Sequence, residues 1–188
     1  MKKYFLLSIV LLCATFFIGR GQDNEFGSEL HTVKQMYAKY GLDDHPSVAV
    51  DTDLIGIWKM AEDTDPHNYF VIEKYNDNRY AFTYMTRGGS NRTYENDGAF
   101  FSDINGTRFI NVGYYDWDSH SGEYFFLKVI EIKNRGFDMT LELVADTTLK
   151  DISDPKEVRE RIAKNLNNRD YYKKPVHFHK ILPLMYCK

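Results

Sequence analysis

The chain of 188 residues is 27% charged and 43% hydrophobic, with 12 glycines and 5 prolines. That composition excludes disordered, collagen-like and many-times membrane-spanning proteins. The formal net charge is −3, so no basic excess is present to attract a phosphate backbone, and nucleic-acid binding is not expected. Aromatic residues reach 15%, as 14 Tyr, 13 Phe and 2 Trp.

The first residues read as a targeting segment. Met1-Lys2-Lys3 is basic, Tyr4 to Ile18 carries no charge, and Gly19-Arg20-Gly21 offers small residues at both sides of Arg20. This order predicts a secretory signal peptide over 1–21, cut between Gly21 and Gln22. The apolar run is shorter than the roughly 20 residues a bilayer-spanning helix needs, so the mature chain is expected to have no integral membrane segment. Leu12 before Cys13, with apolar residues continuing beyond, argues against lipid anchoring there. Loss of Lys2, Lys3 and Arg20 without any acid would make the mature chain more acidic than the whole, and would leave Cys187 as its one cysteine. A periplasmic or secreted protein would then have no intramolecular disulfide, and its stability would rest on packing.

Residues 22–53 read as an N-terminal helix and linker. Leu30, Val33, Tyr37 and Tyr40 recur at helical spacing ahead of Gly41, which predicts a short amphipathic helix over 28–40. Short β runs follow, over 54–60, 69–75, 79–86, 98–104, 107–115, 123–132, 137–144 and 176–183. Asn76-Asp77-Asn78, Asn105-Gly106 and 133–136 join neighbouring runs as hairpins, Asn-Gly most strongly because both residues tolerate positive φ. Residues 87–91 read as a turn cluster, and 92–96 as one further candidate strand.

One helix interrupts the series. Asp154-Pro155-Lys156-Glu157 combines a capping acid, proline in the first turn and glutamate at the third position, and Val158, Ile162 and Leu166 form an apolar stripe. The run 123–132 is apolar on both faces: Phe125, Leu127 and Val129 lie one way, Tyr124, Phe126, Ile130 and Ile132 the other. Two covered faces and a closed edge suit an up-and-down antiparallel barrel. The expected fold is mainly β, a barrel of about eight strands over 54–188 with a short N-terminal helix and one helix before the last strand.

Gly56-Ile57-Trp58-Lys59 in the first strand, just after the N-terminal segment, resembles the calycin superfamily of lipocalins and fatty-acid-binding proteins. The resemblance covers 54–59 as a motif and about 54–183 as an architecture. It implies that Trp58 plugs the closed end of the barrel, with a basic side chain of the last strand stacked on it. The last strand has no arginine to stack on Trp58, although Lys180 could substitute, and the Thr-Asp-Tyr motif of lipocalins is absent.

Catalytic signatures are absent. There is no Gly-x-Ser-x-Gly, no glycine-rich phosphate loop and no cofactor motif, and Cys187 is the penultimate residue. His177 and His179 share one face of a strand and suit one metal, with Asp116, Asp118 or His120 as a third ligand. Asp116-Trp117-Asp118 only faintly resembles a calcium loop, since its glycine is one position late and no glutamate closes it. Asn91-Arg92-Thr93 and Asn105-Gly106-Thr107 fit the N-glycosylation pattern.

Three functional readings follow. The resemblance implies a binding protein holding a small apolar or amphipathic ligand among inward aromatics, expected to be Trp58, Phe70, Phe82, Phe109, Phe125 and Phe137. The alternative is a solid barrel that contacts a protein or glycan partner through Tyr114, Tyr115 and Trp117. The third is a metal-assisted enzyme using His177 and His179.

Overall fold

The protein is described by a computed structural model covering residues 36–43, 45–86, 89–92, 98–116, 121–134 and 136–183, with the backbone alone for 84, 86, 89–92, 114–116, 121, 122, 182 and 183. The expected signal peptide, its cleavage site and both cysteines lie outside these residues. Among the described residues nine strands form: β1 Gly56–Met60, β2 Tyr69–Lys74, β3 Tyr80–Thr86, β4 Gly89–Arg92, β5 Ala99–Ile104, β6 Thr107–Asp116, β7 Ser121–Lys133, β8 Asp138–Leu143 and β9 Val176–Pro183. Among the described residues one α-helix, α1 (Pro155–Lys164), lies between β8 and β9.

Neighbouring strands pair antiparallel, and β9 pairs with both β8 and β1. The ring β1-β2-β3-β5-β6-β7-β8-β9 is therefore a closed barrel of eight strands. At the β3–β5 seam Tyr80 faces Ala99, the single rung among the described residues. The residues expected to turn at 87–91 instead include β4, which folds back on β3 as a hairpin arm outside the ring, with Met85 opposite Ser90. Of the candidate strand over 92–96, Arg92 ends β4 and the remainder lies outside the described residues.

Turn chemistry explains the hairpins. Asn105 (φ 49°) and Gly106 (φ 81°) both take the left-handed conformation that a two-residue connection between twisted strands requires. On the other hairpin Gly136 (φ 77°) donates its N–H to the Lys133 carbonyl at 3.0 Å. For α1, Asp154 accepts from the Lys156 N–H at 2.9 Å, and proline opens the helix where a missing N–H costs nothing.

The helix expected over 28–40 is overturned where it is described. Residues 36–40 are not helical; Ala38 forms an antiparallel bridge with Tyr124, exchanging N–H···O bonds of 2.8 and 2.7 Å. The cause lies in the sheet. β7 has 13 residues and β8 only 6, so part of one edge of β7 has no strand beside it. Pairing those backbone groups outweighs a helical pattern of four side chains.

Two apolar clusters result. The first fills the barrel, from Trp58, Ile72 and Tyr80 through Phe101, Ile110 and Phe125 to Met139, Leu141 and Phe178. The second lies outside it, where Val158 and Ile162 of α1 cover Ile104, Phe109 and Phe126. That helix is why β5, β6 and β7 are apolar on both faces. Within β7 the pairing shifts between Val129 and Glu131. Ile130 is left 45% exposed, and Ile132 turns to the interior face opposite Met139, which corrects the alternation expected for it.

Candidate functional site

The barrel interior is the first place a ligand would be sought. Trp58, Phe70, Phe82 and Phe125 point inward as expected and pack in the interior cluster. Phe109 does not: it alternates with Ile110 on β6 and is buried in the second cluster, beneath α1. Phe137 does not either. It sits in the turn before β8, 45% exposed, with its ring 5.5 Å from the Lys180 ammonium.

The inward rings pack on one another edge to face. Tyr80 lies 5.5 Å from Phe101, Phe70 lies 5.9 Å from Phe178, and Tyr37 lies 5.7 Å from Phe125. The space left between Leu54, Ile72, Tyr80, Phe82, Phe101, Ile110 and Met139 has a volume of about 10 Å³. That is room for about one water, against about 300 Å³ or more for a small-molecule pocket.

At one end the interior is closed by a polar plug. The Trp58 indole is fully buried, and its Nε1 donates to the Leu54 carbonyl at 2.8 Å. Lys180 on β9 faces Trp58 on β1, places its ammonium 4.9 Å from the ring centroid, and donates to the Asp53 carbonyl. Burial holds the Lys180 ammonium below the usual lysine range, against the nearby charges of Asp53 and Asp51. Beside it, Tyr80 Oη accepts from the Asp51 N–H at 2.6 Å, and burial pushes that phenol well above the usual tyrosine range. Polar groups in this floor are thus spent on each other.

On the outer face His177 and His179 do share one side of β9. Each is tied to β8: His177 Nδ1 lies 3.0 Å from Thr140 Oγ1, and His179 Nδ1 bonds Asp138, which Asn134 also contacts. These bonds, with His179 foremost, hold the Asp138 carboxyl below its usual range. Among the described residues no group of three metal-ligating side chains exists. The third ligands expected, Asp118 and His120, lie outside those residues, as does the Asp116 side chain. The backbones of Tyr114 and Tyr115 run in β6 opposite Glu123 and Gly122, while their side chains and the whole of Trp117 lie outside the described residues.

Sequence reasoning missed two features. Met36 and Tyr37 enter the interior cluster from a segment outside the ring, each almost fully buried. Asn111 is fully buried on the outer face of β6, accepts from the Leu42 N–H at 2.7 Å, and donates to Ser102 Oγ at 2.8 Å and the Phe100 carbonyl at 3.2 Å. An asparagine inside the apolar run Phe109–Val112 was the available signal for it. No described helix is long and apolar enough to cross a membrane. Comparison with family models, with curated proteins and with solved structures returns no match.

Proposed function

We propose that this chain is an exported, calycin-like barrel that works as a binding module from its outside, engaging a protein or glycan partner while its interior serves as structural core. The observation that carries this reading is the packing of the described interior, where Leu54, Ile72, Tyr80, Phe82, Phe101, Ile110 and Met139 leave about 10 Å³ between them. The calycin part is supported by Gly56-x-Trp58 in the first strand, with the last strand's Lys180 over the indole. Export is supported by the basic and then apolar start of the chain. The connection between β6 and β7, whose sequence includes Trp117, is the favoured contact.

Native mass spectrometry of the protein taken from producing cells tests the solid core, and a glycan array with the Trp117→Ala variant tests the contact. The reading expects the bare protein mass, and array binding that the variant loses. A co-purifying small molecule, or equal binding by the variant, overturns it. The ligand-carrier reading keeps one observation in its favour: Met36 and Tyr37 fill the interior from outside the ring, so displacing them would open space beside Phe125.

A further inference from the structure

We propose that His177 and His179 form a two-point chelate for a divalent transition metal on the outer face of β9. They stand two residues apart on a regular part of the ladder, with His177 opposite Thr140 and His179 opposite Asp138. Two residues of strand advance about 6.7 Å, a span two imidazoles close around one ion with metal–nitrogen bonds of about 2 Å. Both side chains are exposed, so an ion reaches them without any opening of the barrel.

The β8 partners prepare the pair. Thr140 Oγ1 and Asp138 each engage an Nδ1 atom. Each ring's other nitrogen, Nε2, has no hydrogen-bond partner among the described residues. With Nδ1 of His179 turned to the Asp138 carboxyl, Nε2 is the nitrogen that faces away from β8 and is placed to ligate. A carboxylate on the far nitrogen orients a ligating imidazole and raises its basicity. On the other side Lys59 stands opposite His179 in the ladder, and its ammonium donates to the Asp65 carbonyl at 2.8 Å.

Imidazole donors favour Cu(II), then Ni(II) and Zn(II). With no group of three ligating side chains among the described residues, water completes the coordination, so the ion is exchangeable and open to an oxygen or nitrogen donor from outside. This inference is independent of the partner-binding reading above.

The test is titration of the full chain with CuCl2 and ZnCl2, followed by calorimetry and, for Cu(II), by electron paramagnetic resonance. The expected result is one Cu(II) with two-nitrogen coordination. His177→Asn and His179→Asn should each weaken binding at least about tenfold, and Asp138→Asn should weaken it about 10- to 100-fold, whereas His67→Asn leaves it unchanged. Far-ultraviolet circular dichroism checks that each variant is folded. A one-nitrogen spectrum in the parent chain overturns the proposal, and so does parental affinity in either β9 variant.

Discussion

The Lys180 ammonium lies 4.9 Å from the centroid of the Trp58 ring, and the same ammonium donates to the Asp53 carbonyl. One cation thereby joins the last strand to the first and to the turn that precedes it. This is the closure of the barrel, made in side chains where β1 and β9 already make it in backbone.

Replacement of that cation should be costly. Lys180→Met keeps most of the stem and removes both contacts, leaving the Asp53 carbonyl without its donor. A charged hydrogen bond and a cation–π contact together suggest a loss of about 2–3 kcal/mol. Urea unfolding followed by tryptophan fluorescence measures it, and Lys180→Arg should recover most of the loss. Equal stability of Lys180→Met and the parent would show the contact to be incidental.

Asn111 should matter for a different reason. It anchors the segment around Leu42 to β6 and satisfies three groups in a place sealed from water. Asn111→Ala orphans the Leu42 N–H and Ser102, for an expected loss of about 2–4 kcal/mol. Hydrogen exchange should show lost protection at Ala38 and Leu42 before any at β8 or β9. Uniform loss across the barrel would mean that the anchor is not local.

These two sites differ in how far they are legible from residues alone. Strand bounds are read well because hairpins such as Asn105-Gly106 punctuate the chain with residues chosen for positive φ. Trp58 and Lys180 are read through a resemblance and their places in the first and last strands. Facing is read poorly wherever α1 covers the sheet. Phe109 and Ile110 are equally apolar and both buried, so nothing in their identities says which enters the barrel. Ile132 is misjudged because a bulge at Ile130 has no signature in residue type. The segment 36–40 is misjudged because its backbone partner is an unpaired edge far along the chain, which periodicity cannot register.

Two glycines of similar backbone should respond differently to a methyl group. Gly106 (φ 81°) has nothing within 4 Å of an added Cβ, so Gly106→Ala meets conformational strain alone, about 1 kcal/mol. Gly136 (φ 77°) would set its Cβ 2.5 Å from the Asp53 carbonyl oxygen, the acceptor of Lys180. Gly136→Ala must displace backbone in the floor of the barrel, and the expected loss is about 3 kcal/mol or more. Thermal melts of the pair give the comparison, and similar melting temperatures would refute it.

Acid sensitivity should concentrate at Asp146, which lies beyond the end of β8. Burial alone would raise its carboxyl. Hydrogen bonds prevail: Thr148 Oγ1 donates at 2.6 Å, the Thr148 N–H at 2.9 Å and Tyr171 Oη at 2.9 Å, with Arg161 3.9 Å away. The net result is a carboxyl held below its ordinary value of 3.8. A group whose folded value is depressed stabilises the fold at any pH above the unfolded value. That contribution is lost as pH falls from 3.8 through the lower folded value, because the unfolded chain then takes up the proton first. Asp146→Asn removes the charge and turns an acceptor into a donor facing Tyr171. It should cost about 1–3 kcal/mol at pH 7 and much less at pH 2. Urea unfolding of both chains from pH 7 to pH 2 measures the difference. A gap between parent and variant that stays constant over this range would assign the loss to packing and not to the carboxylate.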